Sequence, residues 1–295
     1  MFRSVIFLPI SILVQGLLVP SLLVPGLLVP GLPIGSVNAS EPALSKPIQS
    51  TRNLVYREIE GEKVMADVFR PDNETVCPAV LLIHGGGWCS GDKWHMHDHA
   101  RQLAQAGYVA VSINYRLAPR HLITEQIDDC RAALRWWAET APKFHADPER
   151  IALWGYSAGA HLSCLIAAQP TADAPPIAAV VAGGAPCDFS NIPEDSEILS
   201  LVMGGSPRDL PDLYHKVSPI HFASRAHPPA LFYHGTQDWI VPPKSSRLMF
   251  EKLKKYGVTT EYHRVVGQGH LTAFIDAQAR IKAIKFLNQH LPMDY

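Results

Sequence analysis

The chain has 295 residues, of which 47% are apolar and 18% charged, and its formal net charge is −1. This composition is typical of a soluble globular protein, and the length fits one large domain or two small ones. A net charge this close to zero gives no support for binding to nucleic acid or to an anionic membrane surface.

The N-terminal segment, residues 1–39, differs from the rest of the chain. Arg3 is its only charged residue, and it contains repeated Leu-Leu-Val-Pro units. A charged start, an apolar middle and the small residues Val37 and Ala39 at the end are typical of a secretory signal peptide. We therefore expect cleavage after Ala39 and a secreted or periplasmic domain of residues 40–295. A retained anchor or a disordered tail is the alternative, but the prolines argue against a regular membrane-spanning helix, so no stable membrane insertion is expected.

Strands and helices alternate along the rest of the chain. Residues 53–71 alternate apolar and polar on both sides of Gly61, which predicts two antiparallel strands joined by a turn. Beyond this hairpin, continuous apolar runs predict buried strands, and helical spacing predicts helices. The predicted strands cover residues 78–84, 108–116, 150–157, 177–186, 230–238 and 259–267, and the predicted helices cover 97–107, 124–141, 158–169, 242–257 and 272–291.

This alternation predicts an α/β protein with a mostly parallel central sheet and helices on both faces. Residues 189–229 interrupt the pattern with several prolines and short apolar runs. We expect this segment to be an excursion over the sheet, built of short helices, that can act as a cap.

The motif GYSAG, residues 155–159, lies between a predicted strand and a predicted helix. In that context G-x-S-x-G is the nucleophile elbow, a sharp turn in which the two glycines relieve crowding. Ser157 would then lie at a helix N-terminus, where the N–H of Ala158 and the helix dipole favour negative charge. The motif predicts Ser157 as a nucleophile, and a chance match is the alternative.

The motif HGGG, residues 84–87, ends an earlier buried strand. A tetrahedral intermediate needs preorganised N–H donors, and glycines can turn their N–H groups inward without an intervening side chain. We predict that Gly86, Gly87 and Ala158 form an oxyanion hole. A tight strand–helix turn is the alternative, and His84 is expected to brace the loop by hydrogen bonding.

A serine nucleophile needs a base, and the base needs an orienting acid. In the chain order Ser, Asp, His, the candidates are Asp238 after the strand ending in HGTQD and His270 in GQGH. Asp188, which follows another strand, is the main rival for the acid.

Other histidines are assigned noncatalytic positions. His95, His97 and His99 alternate on a predicted loop or helix start, and we prefer solvated side chains there to a metal site. His161 is expected to pack behind the serine, and His234 is expected to be structural. Five cysteines match no zinc pattern and are odd in number, so at least one is not paired within the chain, and the pairing stays open.

Together, these motifs resemble the α/β-hydrolase superfamily, and most of all the bacterial esterases with an HGGGW motif, near the bifunctional feruloyl/acetyl-esterase-like and carboxylesterase groups. The matching segments run from about Pro78 to His270. They are HGGGWCSGDKW, INYRLAP, DPERIALWGYSAGAHLS, VSPIHFA, PPALFYHGTQDWIVP and GQGH. The resemblance implies the α/β-hydrolase fold, a triad of Ser157, Asp238 and His270, the glycine loop as oxyanion hole, and no cofactor. Ala160 departs from the glycine that relatives often have.

The resemblance implies a serine carboxylesterase that cleaves small acyl esters through an acyl-serine intermediate, with acetyl or feruloyl groups of polysaccharides as attractive substrates. Trp88, Tyr156 and Trp239 flank the predicted active atoms and are expected to wall a substrate pocket, although core packing is their alternative. A kynurenine-formamidase-like amidase and a noncatalytic binding module of the same fold are the alternative functions.

Overall fold

The computed structural model describes residues 46–190 and 192–292, and the predicted signal peptide lies outside these residues. Their strands form one eight-stranded sheet in the order β1-β2-β4-β3-β5-β6-β7-β8. The strands are β1 (Ile48–Ile59), β2 (Glu62–Pro71), β3 (Cys77–Ile83), β4 (Val109–Ile113), β5 (Ala146–Tyr156), β6 (Ile177–Gly183), β7 (Ala230–Gly235) and β8 (Thr260–Val265).

The two pairs that involve β2 are antiparallel, and the other five pairs are parallel. β1 pairs with β2 through the predicted hairpin, and β2 runs antiparallel to β4. The pairs β3–β4, β3–β5, β5–β6, β6–β7 and β7–β8 are all parallel. The carboxyl ends of β3, β5, β6, β7 and β8 therefore meet at one edge of the sheet, where ligand sites form in open α/β sheets.

Helices lie between the parallel strands and after the last of them. They are α1 (His97–Gln105), α2 (Ile123–Thr140), α3 (Ala158–Ala168), α4 (Glu197–Met203), α5 (Pro211–Lys216), α6 (Lys244–Lys255), α7 (His270–Phe274) and α8 (Ala277–His290). Short 3-10 turns cover Lys93–Met96, Ala141–Phe144 and Pro219–Phe222.

Two apolar layers cover the two faces of the sheet. All seven residues of β3 are buried, and six of them divide between two core clusters. Leu81 and Ile83 belong to one cluster, whereas Val80 and Leu82 belong to the other. Because side chains alternate across a strand, this division means that helices bury both faces. The architecture is that of an α/β hydrolase, as the sequence predicted.

Two element predictions need correction. The predicted helix over residues 272–291 is two helices, α7 and α8, and α7 begins two residues earlier than predicted. The break occurs because the carboxylate of Asp276 accepts a hydrogen bond from the N–H of Ala279 at 2.8 Å and caps α8. The hairpin also begins earlier than predicted, at Ile48.

The excursion over residues 189–229 contains the short helices that its sequence predicts, α4 and α5. Met203 and Tyr214 of this segment are buried in the core. The apolar face of the excursion therefore docks it onto the domain. Among the described residues, no helix has both the length and the apolarity needed to cross a membrane.

Candidate active site

Ser157 lies on a sharp turn between β5 and α3, with φ 53° and ψ −119°. A Cβ on Gly155 would lie 2.1 Å from the carbonyl oxygen of Gly159, and one on Gly159 would lie 2.0 Å from the carbonyl oxygen of Ile83. No side chain fits at such distances, so the turn requires glycine at both positions. The structure thus contains the strained strand–turn–helix geometry of a nucleophile elbow.

Three side chains that are distant in the chain meet at the carboxyl edge of the sheet. Nε2 of His270 lies 2.8 Å from Oγ of Ser157, and Nδ1 of His270 lies 2.6 Å from Oδ2 of Asp238. The serine follows β5, the aspartate follows β7, and the histidine follows β8. With the Nδ1 proton directed at the carboxylate, Nε2 is free to accept the serine proton.

Asp238 is buried and strongly hydrogen-bonded. Its Oδ1 accepts the backbone N–H groups of Ile240 at 3.0 Å and Val241 at 2.9 Å. Burial opposes ionisation, but the hydrogen bonds from His234, His270 and Val241 outweigh it and hold the pKa of Asp238 well below its usual range. The carboxylate is therefore charged throughout the neutral pH range.

A second imidazole also contacts Asp238. Nε2 of His234 lies 3.0 Å from Oδ2 of Asp238, and both side chains are fully buried. The sequence analysis assigned His234 only a structural position at a strand end. The i, i+4 spacing of His234 and Asp238 across the end of β7 was the available signal, but spacing in a loop does not specify side-chain direction.

The glycine loop lies beside the serine. A Cβ on Gly85 would come within 3.1 Å of the Ser157 Cβ. Gly86 and Gly87 have φ values of 124° and 60°, which favour glycine. Within the described residues, neither of their N–H groups has a hydrogen-bond acceptor. Ala158 is the first residue of α3, where an N–H has no intrahelical partner.

Gly86, Gly87, Ser157 and His270 line a cavity of about 830 Å³. Trp88 and Tyr156 line it, as their sequence positions suggested, and both are nearly buried. The excursion contributes part of the wall, and further apolar residues come from the loop after β7 and from α6 and α7. The lining includes Phe189, Ile192, Ile198, Leu199, Ile240, Leu248, Leu271 and Phe274. The cavity is thus large and predominantly apolar, with Ser157 and His270 in its wall.

Trp239 is a correction to the sequence analysis, because it does not line this cavity and its side chain is 92% exposed. The backbone of Ile240 and Val241 folds back onto the inward-pointing carboxylate of Asp238. That turn places the intervening tryptophan at the outer tip of the loop.

Asp188 lies in the wall of the same cavity. Its Oδ1 accepts the backbone N–H of Ser190 at 2.9 Å, while Nδ1 of His270 is occupied by Asp238. The structure therefore brings Asp238, and not its rival, to the histidine.

The histidines outside this group have packing and bracing positions. Nδ1 of His84 contacts the carbonyl oxygen of Gly85 at 2.7 Å, and burial lowers the pKa of His84 to about 4. His161 accepts a hydrogen bond from Nε1 of Trp88 at 3.2 Å, and its Nε2 contacts the carbonyl oxygen of Val217 at 2.7 Å. Burial lowers the pKa of His161 also to about 4. Both rings are therefore neutral at physiological pH.

The expectation of solvated side chains for the alternating histidines is wrong for two of the three. His99 is buried and stacks on Phe274, with ring centroids 4.8 Å apart, and His97 pairs with Asp67 at 2.8 Å. Only His95 lines the cavity. Within the described part of the chain, no group of three or more His, Cys, Asp or Glu side chains could hold a metal ion.

All five cysteines lie in the described residues and are unpaired there. Four of them are buried and one is partly exposed.

The fold and this constellation define an α/β hydrolase with a serine-centred site. The BD-FAE family model matches residues 66–253. The chain belongs to the BD-FAE family.

Two similar proteins are named as an esterase and a probable carboxylic ester hydrolase. The chain is 30% identical over 242 residues to Esterase LipC of Mycobacterium tuberculosis, an alignment that covers 74% of this chain and 59% of that protein. Probable carboxylic ester hydrolase LipM of the same organism is 32% identical over 205 residues, with 63% and 47% covered. The chain thus spans about half to three-fifths of the length of these relatives.

A solved structure described as a truncated form of a carbohydrate esterase from gut microbiota superposes with a TM-score of 0.75. It is 25% identical, and the match covers 84% of this chain and 98% of that one. A thermophilic esterase from Thermogutta terrifontis, with 24% identity, a TM-score of 0.69 and coverages of 85% and 94%, supports the fold alone.

Proposed function

We propose that this chain is a serine carboxylesterase that hydrolyses small acyl esters through an acyl-Ser157 intermediate. The observation that carries the proposal is the continuous hydrogen-bonded line from Ser157 through His270 to Asp238 at the wall of the cavity. The names of the relatives, which are esterases and carboxylic ester hydrolases, agree with this reaction.

The proposed reaction has two halves. Oγ of Ser157 attacks the ester carbonyl carbon while Nε2 of His270 takes the hydroxyl proton. The tetrahedral intermediate then collapses, the carbon–oxygen bond to the alcohol breaks, and His270 returns the proton to the departing alcohol. Water repeats the sequence on the acyl-serine and releases the carboxylic acid and free Ser157. Asp238 holds the tautomer and stabilises the imidazolium in both halves.

The negative oxygen of each tetrahedral intermediate needs donors that are already in place. The N–H groups of Gly86, Gly87 and Ala158 are the proposed donors. Gly86 and Gly87 line the same cavity as Ser157, and Ala158 follows Ser157 directly at the start of α3. The N–H groups of the two glycines have no protein acceptor in the described residues. Loss of one such donor typically costs roughly 100- to 1000-fold in turnover.

The cavity favours an acyl group or alcohol with apolar surface. Its lining is mostly aliphatic and aromatic, and its volume of about 830 Å³ exceeds what an acetyl group alone needs. We propose feruloyl or acetyl esters of polysaccharides as the natural substrates. The similarity to a carbohydrate esterase supports this choice. Trp88 and Tyr156 are the proposed aromatic walls of the substrate site.

A fluorophosphonate probe tests the nucleophile. We expect labelling of the wild-type protein and none of Ser157→Ala, whose stability should change little because Ser157 is only partly buried. Labelling that persists in Ser157→Ala, or a wild-type protein that is never labelled, would refute the proposal and would favour a noncatalytic module.

The bond specificity is tested with p-nitrophenyl acetate, butyrate and octanoate beside N-formylkynurenine. We expect the esters to be turned over faster than the formyl amide. The reverse order would favour the formamidase-like alternative, and acetate or ferulate release from esterified xylan would support the polysaccharide substrate.

We also propose that the protein is exported. The support is the sequence of residues 1–39, with Arg3, the apolar repeat and the small residues before position 40. An exported product that begins at Ser40 is the expected outcome of N-terminal sequencing.

A further inference from the structure

One carboxylate oxygen lies between two imidazoles. Oδ2 of Asp238 is 2.6 Å from Nδ1 of His270 on one side and 3.0 Å from Nε2 of His234 on the other. The other oxygen, Oδ1, is held by the N–H groups of Ile240 and Val241. The proposed mechanism uses His270 and leaves the second, fully buried imidazole without a role.

The neighbours of His234 specify which of its nitrogens carries a proton. Nε2 faces two acceptors, Oδ2 of Asp238 and the carbonyl oxygen of Val241 at 2.9 Å, so Nε2 must be the donor. Nδ1 lies 2.7 Å from Oγ of Ser246, a hydroxyl that can donate to it. Ser246 in turn contacts the hydroxyl of Tyr262 at 3.3 Å. The ring is thereby fixed in one orientation with its donor aimed at the carboxylate.

We propose that His234 is a positioning residue for the acid of the triad, holding Oδ2 of Asp238 opposite His270 and drawing off part of its negative charge. The inference rests on the proposed function, because it assigns His234 an effect on the basicity of His270. His234 touches no reacting atom and acts only through Asp238.

The sign of the effect follows from electrostatics. A donor to Oδ2 reduces the field that the carboxylate exerts on His270, so it makes the imidazolium form of His270 less stable. If His234 loses its donor, Ile240 and Val241 still hold Oδ1, and the carboxylate keeps more of its charge for His270. The pH at which half of the activity is lost on the acid side should then rise.

The titratable groups that share the main cavity with His270 are Asp188, His95 and Lys244, and the hydroxyl of Tyr156 donates to the carbonyl oxygen of His270. Other charged groups near His234 are more exposed than His234 itself. Lys244, Arg247 and Glu251 on α6 and Arg264 on β8 line a second cavity that reaches His234 and Tyr262. They remain unchanged in every variant below, and salt screens exposed charges of this kind. Measurements at two ionic strengths therefore separate their influence from that of the buried pair.

The test compares His234→Leu, which has no donor, with His234→Gln, whose amide can donate from a similar position. The readouts are the pH dependence of fluorophosphonate labelling and of kcat/KM for p-nitrophenyl butyrate. For His234→Leu we expect an acid-limb midpoint raised by about half a unit or more and a loss of kcat/KM on the order of 10- to 100-fold, the fold-change that corresponds to loss of one hydrogen bond to a charged group. For His234→Gln we expect a midpoint near that of the wild type.

His227→Leu is the matched control. His227 is also a buried histidine next to β7, but among the described residues its ring hydrogen-bonds only to the carbonyl oxygen of Pro228. We expect it to lower thermal stability without moving the acid limb. An acid limb that is unmoved or lowered in His234→Leu, or that moves equally in His227→Leu, would overturn the role of His234. A wild-type protein that is never labelled would instead refute the proposed function.

Proton NMR gives a second readout that a purely structural role would not move. The Nδ1 proton of His270, at 2.6 Å between nitrogen and oxygen, should give a far-downfield signal. We expect this signal to change position in His234→Leu and to return towards its wild-type position in His234→Gln. An identical signal in all folded variants would contradict the proposal.

Discussion

At the scale of single residues, the charge on Asp238 is the feature on which the proposed chemistry depends. Four donors surround this carboxylate, two from the backbone and two from imidazoles. An amide at the same position would keep the shape but would present a donor to one of the imidazoles, which disturbs the tautomer of His270.

Asp238→Asn should therefore lower kcat by about 1000- to 10,000-fold, as expected for loss of the orienting acid in such a triad. Asp188→Asn should lower kcat/KM far less, because Asp188 lies in the cavity wall without contact to Nδ1 of His270. Steady-state kinetics on p-nitrophenyl butyrate measure both variants. A larger loss in the Asp188 variant would show that the acid is misassigned.

Sequence reasoning was strongest at residues whose role depends on a local motif. The position of Ser157 on a sharp turn could be predicted because the elbow demands glycine on both sides within five residues. Trp239 was misjudged and His234 was passed over, since the direction of a side chain in a loop depends on hydrogen bonds formed after folding. For Trp239 those bonds run from Ile240 and Val241 to Asp238.

At the scale of secondary structure, the elbow is the most tightly constrained segment. Gly155→Ala would place a Cβ 2.1 Å from the carbonyl oxygen of Gly159, a distance at which the backbone must shift. We expect loss of fluorophosphonate labelling and destabilisation of several kcal/mol, the scale of overpacking and backbone strain.

Gly257→Ala is the control for that experiment. Its φ of 79° is unfavourable for alanine, but no atom lies within 4 Å of the added Cβ. We expect a cost of about 1 kcal/mol from the backbone alone, with labelling preserved. Chemical denaturation measures both costs, and equal destabilisation by the two substitutions would argue against steric exclusion at the elbow.

The strands were easier to predict than the ends of the helices. A short continuous apolar run such as that of β3 fits a strand that is buried on both faces of a sheet. The division of the last helix into α7 and α8 was missed because residues on both sides have helical spacing. Only the capping interaction of Asp276 with Ala279 marks the break.

At the scale of the whole molecule, buried neutral histidines make stability depend on pH. Burial lowers the pKa values of His84 and His161 from 6.5 to about 4, and that of His99 to about 3. The unfolded chain therefore binds protons at these histidines near pH 6.5, whereas the folded protein binds them only at lower pH. Stability is lost as pH falls through this window, by about 2 kcal/mol per such histidine between pH 7 and 5.

His161→Gln should reduce this dependence. The variant is expected to be less stable than the wild type at pH 7 but to lose less stability on acidification, because glutamine does not titrate. Urea unfolding at pH 7 and pH 5 measures the difference. A dependence on pH as steep as that of the wild type in the His161 variant would contradict the explanation.

Finally, the three residues of the proposed triad come from the ends of β5, β7 and β8, which are separated by up to 113 positions in the chain. Their convergence requires β5, β6, β7 and β8 to be paired in this order. A covalent probe of the serine would therefore count molecules in which this half of the sheet is assembled, and its incorporation during refolding would time that assembly.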